Sequence, residues 1–395
     1  MKALEGMVVV DFTQAFSGPF CTMQLADFGA RVIKIERPYI GDQSREWTPF
    51  KEGYSAYYAS INRNKTGVAI DNAAPQGKEI IERLISKADV VVENFKVGTL
   101  DKFGLGYEDV KKINPEIIYA SISGFGLTGS LKKSPAYDNV IQSVTGIQSV
   151  TGFPEGPGVR CASAIGDSFT GLNCALAILM AYRKKLKTGK GSRIDVSMYD
   201  TIFSILELYI MADTVKGEHY GRGGNSDKYI VSPSDVYRCT DGWFAASAAS
   251  DEAFCQLCRI MDRDDLAEDE RFMTNEKRCA NYQELTDEIS RFFAGKSRRE
   301  LEEIFRDTEI INAPLLSIPE IINHPQTKAR NLIVEVEDPG IGKYPVTGNP
   351  MNMTETPASY EKGAPLMGQH TGEIMRELGY SEDQIQELLT KRIIQ

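Results

Sequence analysis

The chain has 395 residues, 42% of them hydrophobic and 25% charged, enough apolar material for one large core and a second, smaller one. A net charge of -10 leaves no basic face of the kind that holds nucleic acid, although local basic pockets for phosphates stay open. Seven scattered cysteines read as free thiols, and the opening stretch Met1–Gln14 is too short and too soon broken by Asp11 to serve as an export signal or membrane span, so the expected location is the cytoplasm.

In chain order, Met7–Phe12 is an apolar run closed by an acid, and Gly18-Pro19 opens a helical stretch through Leu25 that stops at Gly29. Arg31–Glu36 predicts a second strand, Pro75–Lys87 an amphipathic helix, Val90–Glu93 a third strand and Glu116–Ser121 a fourth. Thr170–Lys184 reads as a long buried helix and Arg193–Met198 as one more strand. Short β-rich runs separated by helices predict a parallel sheet covered on both faces. The pattern changes near residue 215. Gly217–Pro233 is a loop rich in Gly, Ser, Asp and Asn; Ser234–Ser250 predicts two short strands around the Asp241-Gly242 turn; residues 251–310 are charged amphipathic helices. Asp338–Thr347 is again strand and turn, and Thr371–Leu389 is a closing helix pair. The fold class is α/β: a Rossmann-like large domain over residues 1–210, to which 330–395 returns, and a smaller α+β domain over 225–320.

Several motifs carry possible chemistry. Gly124-Phe-Gly126-Leu-Thr-Gly129 has dinucleotide-site spacing but follows a late strand, whereas the first turn, Thr13–Pro19, lacks the glycines; NAD binding is not expected, although Glu36 stands where a ribose acid would. Cys255-Gln-Leu-Cys258 has no second pair or histidines nearby to close a zinc site and reads as the apolar face of a helix. His219, His324 and His370 lie in different neighbourhoods, which leaves no histidine triad and no metal site. Gly166-Asp167-Ser168-Phe169-Thr170-Gly171 places an acid at a helix entry. Asp there is a good N-cap, the first reading of these residues alone; a carboxylate so placed can also be held as a nucleophile. Lys34, Arg37, Lys96 and Lys102 fall near the expected carboxyl ends of strands, a modest hint of a phosphate-bearing ligand.

Taken together, Met7–Pro38, Val90–Phe95, Ser123–Gly129, Pro135–Asn139, Ile165–Gly171, Lys187–Asp200 and Gly368–Tyr380 resemble, in order along the chain, the family III CoA-transferases, also called the CaiB–BaiF family. The resemblance implies an interlocked, ring-like homodimer whose chains thread through one another, with linkers near 205–225 and 315–335. It implies that Asp167 is the catalytic aspartate, and that Arg37, Ile70, Asn94, Phe95, Lys96, Lys102 and Tyr137 contact coenzyme A, with Arg37 and Lys102 suited to its phosphates. Phe16, Ser17 and Asp138 would lie near the thioester. In formyl-CoA transferases Phe16-Ser17 would be Gln-Ala and Pro135 would be Lys, departures that weigh against an oxalate/formyl pair.

The implied reaction moves coenzyme A from an acyl-CoA to a free carboxylic acid through anhydride and aspartyl-CoA thioester intermediates on Asp167. Its nucleophiles are already anions at neutral pH, so no base is required. It needs donors for each oxyanion, for which the amides of Gly223 and Gly224 are candidates. Coenzyme A is then a cosubstrate and no tightly bound cofactor is expected. An α-methylacyl-CoA racemase of the same fold is the nearest rival; racemases carry His where this chain has Tyr137, and a tyrosine with an ordinary pKa of about 10 is a poor base. A non-catalytic acyl-CoA-binding protein is the other, against which the intact Gly166–Gly171 segment speaks.

Overall fold

Six β-branched runs assemble into one parallel sheet in the computed structural model, which describes residues 1–395. They are Val8–Asp11 (β1), Arg31–Glu36 (β2), Thr66–Ala69 (β3), Val90–Glu93 (β4), Ile118–Ser123 (β5) and Ser192–Ser197 (β6). Their spatial order is β3-β2-β1-β4-β5-β6, with Val10 opposite both Ile33 and Val91, Val91 opposite Tyr119, and Ala120 opposite Ile194. This is the doubly wound order, in which the chain leaves β1 toward one edge and later toward the other.

Successive side chains of a strand point to opposite faces, so a run such as Val9-Val10 must be covered twice. On one face Val10, Ile33 and Val91 pack with Ile80, Ile81 and Leu84 of the helix Pro75–Ile85, and with Ile374, Met375 and Ile385 from the C-terminal helices. On the other, Val9, Val32 and Val90 pack with Cys21 and Leu25 of the helix Ser17–Asp27, here α1, and with Cys174 and Ile178 of a long helix, Ile165–Thr188. The sheet belongs to a unit made of residues 1–145, 161–205 and 325–395; a second unit comprises 146–160 and 206–324.

The second unit is built on an antiparallel sheet of Ser234–Cys239, Gly242–Ser247 and Ile311–Pro314, with Gly242–Ser247 in the middle. Phe244 and Tyr237 share its core with Phe254, Leu285, Phe293 and Phe305 from the amphipathic helices. Cys258 is buried there as one more packing residue.

The edge strand β3, Thr66–Ala69, has no counterpart in the sequence expectation, and several element boundaries differ from it. The hairpin expected at Asp338–Thr347 is a longer antiparallel pair, Ile333–Asp338 with Gly342–Thr347. The long helix starts at Ile165, not Thr170, because a side chain distant in sequence caps it: the Gly166 N–H donates to Asp138 Oδ1 at 2.6 Å.

Candidate active site

Between β1 and β4 the winding of the sheet reverses, so the loops that leave these strands diverge and open a crevice at their carboxyl ends. A cavity of about 390 Å³ lies there. Its walls are Gln14–Ser17 after β1, Asn94–Val97 after β4, Ser123–Phe125 after β5, and Asp167. A second cavity of about 380 Å³ is lined by Arg37, Ile70, Thr99 and Phe103, and shares Gln14, Gln43 and Phe95 with the first. The two are adjoining chambers of one groove.

The loop from Thr13 to Phe16 is held peptide by peptide. Asp11, wholly buried at the end of β1, accepts from the Thr13 N–H at 2.8 Å and hydroxyl at 2.5 Å, and from the Thr22 hydroxyl at 2.6 Å and Lys65 at 3.1 Å. Burial would raise the Asp11 carboxyl, but Lys65, Lys34 and the two hydroxyls outweigh it and hold it below the usual carboxylate range. Gln14 is clamped by Asn94, whose Oδ1 accepts its N–H at 2.8 Å and whose amide donates to its carbonyl at 2.7 Å. The Ala15 N–H donates to Asp42 Oδ1 at 3.0 Å, which fixes Ala15 at φ 65°, a left-handed conformation that a residue with a Cβ seldom adopts.

Lys34 does not offer itself to a phosphate, contrary to the sequence reading. Its side chain is fully buried, and its Nζ donates to Asp42 Oδ2 at 2.8 Å and to the Thr13 carbonyl at 2.7 Å. The lysine at that strand end pins the site loop from behind.

Asp167 is the third residue of the long helix, here named α3, with Asp138–Val144 as α2. The N-cap position is taken by Ala164, so Asp167 is not the local cap. Its carboxyl lies instead beside Ser17, the first residue of α1, whose amide and hydroxyl favour the ionised form. Two glycines allow this approach. A Cβ on Gly171 would stand 2.6 Å from the Ser17 carbonyl, and one on Gly18 would stand 2.3 Å from the Thr13 side chain. Asp138, the first residue of α2, braces the helix start: besides the Gly166 N–H, it accepts from Gln142 Nε2 at 2.6 Å, and Gln142 in turn accepts from the Cys161 N–H at 2.8 Å.

A carboxylate at a helix N-terminus is favoured as an anion. Burial opposes that, Asp138 adds a second negative charge, and the Ser17 amide and hydroxyl only partly compensate, so the Asp167 pKa rises to about 6. Desolvation wins. The result is a carboxylate, ionised at neutral pH and thinly solvated, at the bottom of a groove.

Of the residues singled out by sequence, Phe16, Ser17, Asn94, Phe95, Lys96, Tyr137 and Asp167 line the first cavity, and Arg37, Ile70 and Phe95 line the second. Lys102 is exposed beside Phe103 of the second chamber without lining it. Asp138 is buried behind the cavity wall. Gly223 and Gly224 belong to the second unit, where the Gly224 N–H donates to the Gly152 carbonyl at 3.0 Å. Gly126 and Gly129 both have positive φ, but no helix opens until Asp138, so the Gly124–Gly129 spacing is that of a turn and not of a dinucleotide site.

Sequence reading missed the aromatic wall. Phe16 stacks on Phe20 at 5.3 Å and meets Tyr57 at 5.9 Å, and Trp47 meets Tyr57 edge-on at 5.3 Å. Burial, with Asp167 and Asp138 nearby, pushes the Tyr57 hydroxyl up to about 12. The available signal was the aromatic density of Trp47–Tyr58, a stretch without clear periodicity.

A family model described as CoA-transferase family III matches residues 4–371. Succinyl-CoA:glutarate CoA-transferase of Homo sapiens is 35% identical over 396 residues, covering 100% of this chain and 90% of that protein. Succinyl-CoA:mesaconate CoA-transferase of Haloarcula hispanica is 36% identical over 389 residues, with 96% and 97% covered. The crystal structure of a CAIB/BAIF family protein from Brucella suis matches with a TM-score of 0.85 at 34% identity, covering 95% of this chain and 99% of that one.

Proposed function

The chain belongs to CoA-transferase family III and is an acyl-CoA:carboxylate CoA-transferase, and from that premise we propose that Asp167 is its nucleophile and that succinyl-CoA or a similar dicarboxylic thioester is its donor. The observation that carries the first part is that Asp167 is the sole carboxylate lining the cavity at the switch point of the sheet. The relatives named for succinyl-CoA support the second.

In the proposed sequence an Asp167 oxygen attacks the thioester carbonyl, the carbon–sulfur bond breaks and coenzyme A leaves as its thiolate. The product is a mixed anhydride. The thiolate then attacks the Asp167 carbonyl and expels the donor's carboxylate, leaving an aspartyl-CoA thioester. The acceptor carboxylate displaces the thiolate to form a second anhydride, and thiolate attack on the acceptor's carbonyl restores Asp167. Protons are neither gained nor lost. Each attack at the aspartyl carbon places charge on an oxygen that the Ser17 amide and hydroxyl already face, and a donor of this kind contributes about 3 kcal/mol. The second chamber, with Arg37 and Ile70, would take the nucleotide end of coenzyme A, Lys102 would meet a phosphate from the rim, and Phe95 would pack along the arm between the chambers.

A racemase would need two bases facing one carbon. The cavity holds no histidine, and Tyr57 loses its proton only near pH 12. The transferase is tested directly by incubation with succinyl-CoA followed by hydroxylamine. The native chain should form a hydroxamate at Asp167; Asp167→Ala should form none and lose about four orders of magnitude in kcat while still binding coenzyme A. Full turnover by that variant would remove Asp167 from the mechanism.

The proposed assembly is a homodimer, interlocked through linkers near 205–225 and 315–335. One face of α3 is buried through Cys174, Ala175, Ile178 and Ala181, while Leu172, Leu176, Leu179 and Met180 form an exposed apolar stripe along the other. A helix apolar on two sides needs a second covering surface, and a second copy of the chain supplies it. Buried free thiols such as Cys21 and Cys174 suit the reducing cytoplasm.

A further inference from the structure

We infer that Lys132 and Lys133 bind the far carboxylate of a dicarboxylic acyl group, and so select dicarboxylic over monocarboxylic substrates; this rests on the transferase reading above. Three cations line the reactive chamber, Lys96, Lys132 and Lys133, against the single carboxylate of Asp167. None of the three ammonium groups has an ion-pair partner, whereas the lysines behind the site, Lys34 and Lys65, are both paired. The chamber therefore holds more positive charge than one reacting carboxylate requires.

Two anions could use that charge, a phosphate of coenzyme A or the free carboxylate of the acyl group. The location of the lysines separates them. Lys96 adjoins Phe95, which lines both chambers, so it stands on the route to the nucleotide end. Lys132 and Lys133 come from the segment that leads to Tyr137, and no residue of 132–137 lines the second chamber. They serve the acyl chamber alone. Neither lysine is ion-paired with Asp167, although all three line the same chamber. A substrate anchored at one end on Asp167 and charged at the other would place its second carboxylate toward this pair. Donor and acceptor occupy the chamber in turn, so the same lysines would serve both.

Both side chains are exposed, and their replacement leaves the core intact. The test compares kcat/KM for succinyl-CoA with that for butyryl-CoA, using glutarate as the common acceptor, in the native chain and in the double variant Lys132→Met/Lys133→Met. The native chain should prefer succinyl-CoA, and in the variant the succinyl-to-butyryl ratio should fall by about tenfold to a hundredfold, the range expected for charge-assisted hydrogen bonds. Lys132→Arg/Lys133→Arg should restore the ratio. Salt should lower the native preference and leave that of the Met variant unmoved, because partly exposed charges are screened. A parallel loss with both thioesters would assign the pair to the phosphates of coenzyme A and overturn the inference, as would an unchanged ratio. A native chain that transfers from neither thioester would instead refute the transferase reading.

Discussion

Asp167 sits where burial and Asp138 favour the protonated carboxyl, while Ser17 and the helix end favour the anion, and the balance sets the pH at which the carboxyl ionises. If Asp167 is the nucleophile, as proposed, a carboxyl with a pKa of about 6 loses its nucleophilic form below that pH, and kcat/KM should fall on the acid side with an apparent pKa of about 6. Ser17→Ala removes one donor and should shift this limb to higher pH; Asp138→Asn removes the neighbouring charge and should shift it lower. A pH profile in which neither variant moves the limb would assign the titration to another group. Stability carries the opposite sign. Folding raises this pKa from 3.8, so the folded chain binds the proton more tightly, and the contribution is complete below about pH 4 and lost as pH rises through 6. Asp167→Asn should therefore raise the unfolding midpoint at pH 8, by the equivalent of about 1–3 kcal/mol, with little effect at pH 4. The residue was legible in the sequence as an acid among small residues at a helix entry; its unusual proton affinity was not, because Asp138 and Ser17 approach it from segments 29 and 150 positions away in the chain.

Two elements bring Ser17 and Asp167 together, the loop leaving β1 and the crossing of α1 with α3. An alanine in a helix interior is ordinarily better than glycine by about 1 kcal/mol. Gly171→Ala should reverse that rule, because the new methyl would stand 2.6 Å from the Ser17 carbonyl and 3.3 Å from the Cys21 amide. We expect a loss of about 1–3 kcal/mol in denaturant unfolding, with a fall in kcat as Ser17 is pushed from Asp167. Asp42→Ala should cost more, about 3–5 kcal/mol, since it strands Lys34 in a fully buried position and frees the left-handed Ala15. At this scale the strands were readable because β-branched runs of fixed length announce themselves, and the glycines at 18 and 171 stand in plain view. What they touch depends on packing between helices some 150 residues apart. The role of Lys34 was misread for the same reason: a lysine at a strand end looks alike whether it faces a ligand or an aspartate from the next turn.

For the whole molecule, α3 is the one helix long and apolar enough by composition to cross a membrane, yet one of its faces is built into the core beneath the sheet. If its outer stripe is the face that a second copy covers, Leu176→Glu should yield a smaller species in sedimentation, while an unchanged dimer would place the interface elsewhere. The parallel sheet could be read from the alternation of strands and helices, but not its strand order or the short edge strand β3, and the first cavity drew on the aperiodic stretch 43–58, which offers no such regularity. The first unit is also discontinuous, and this shapes how it is made. Ile374, Met375, Ile385 and Ile394 complete the core around Val10 and Ile33, and Ile394 bridges to Ile70 at the edge of the second chamber. A nascent chain must therefore carry an unfinished sheet, apolar on one side, through the synthesis of the entire second unit before the ribosome releases the residues that seal it. Chains halted near position 324 should be held by chaperones or precipitate, and the groove at the carboxyl ends of the strands should form only once the last helices arrive.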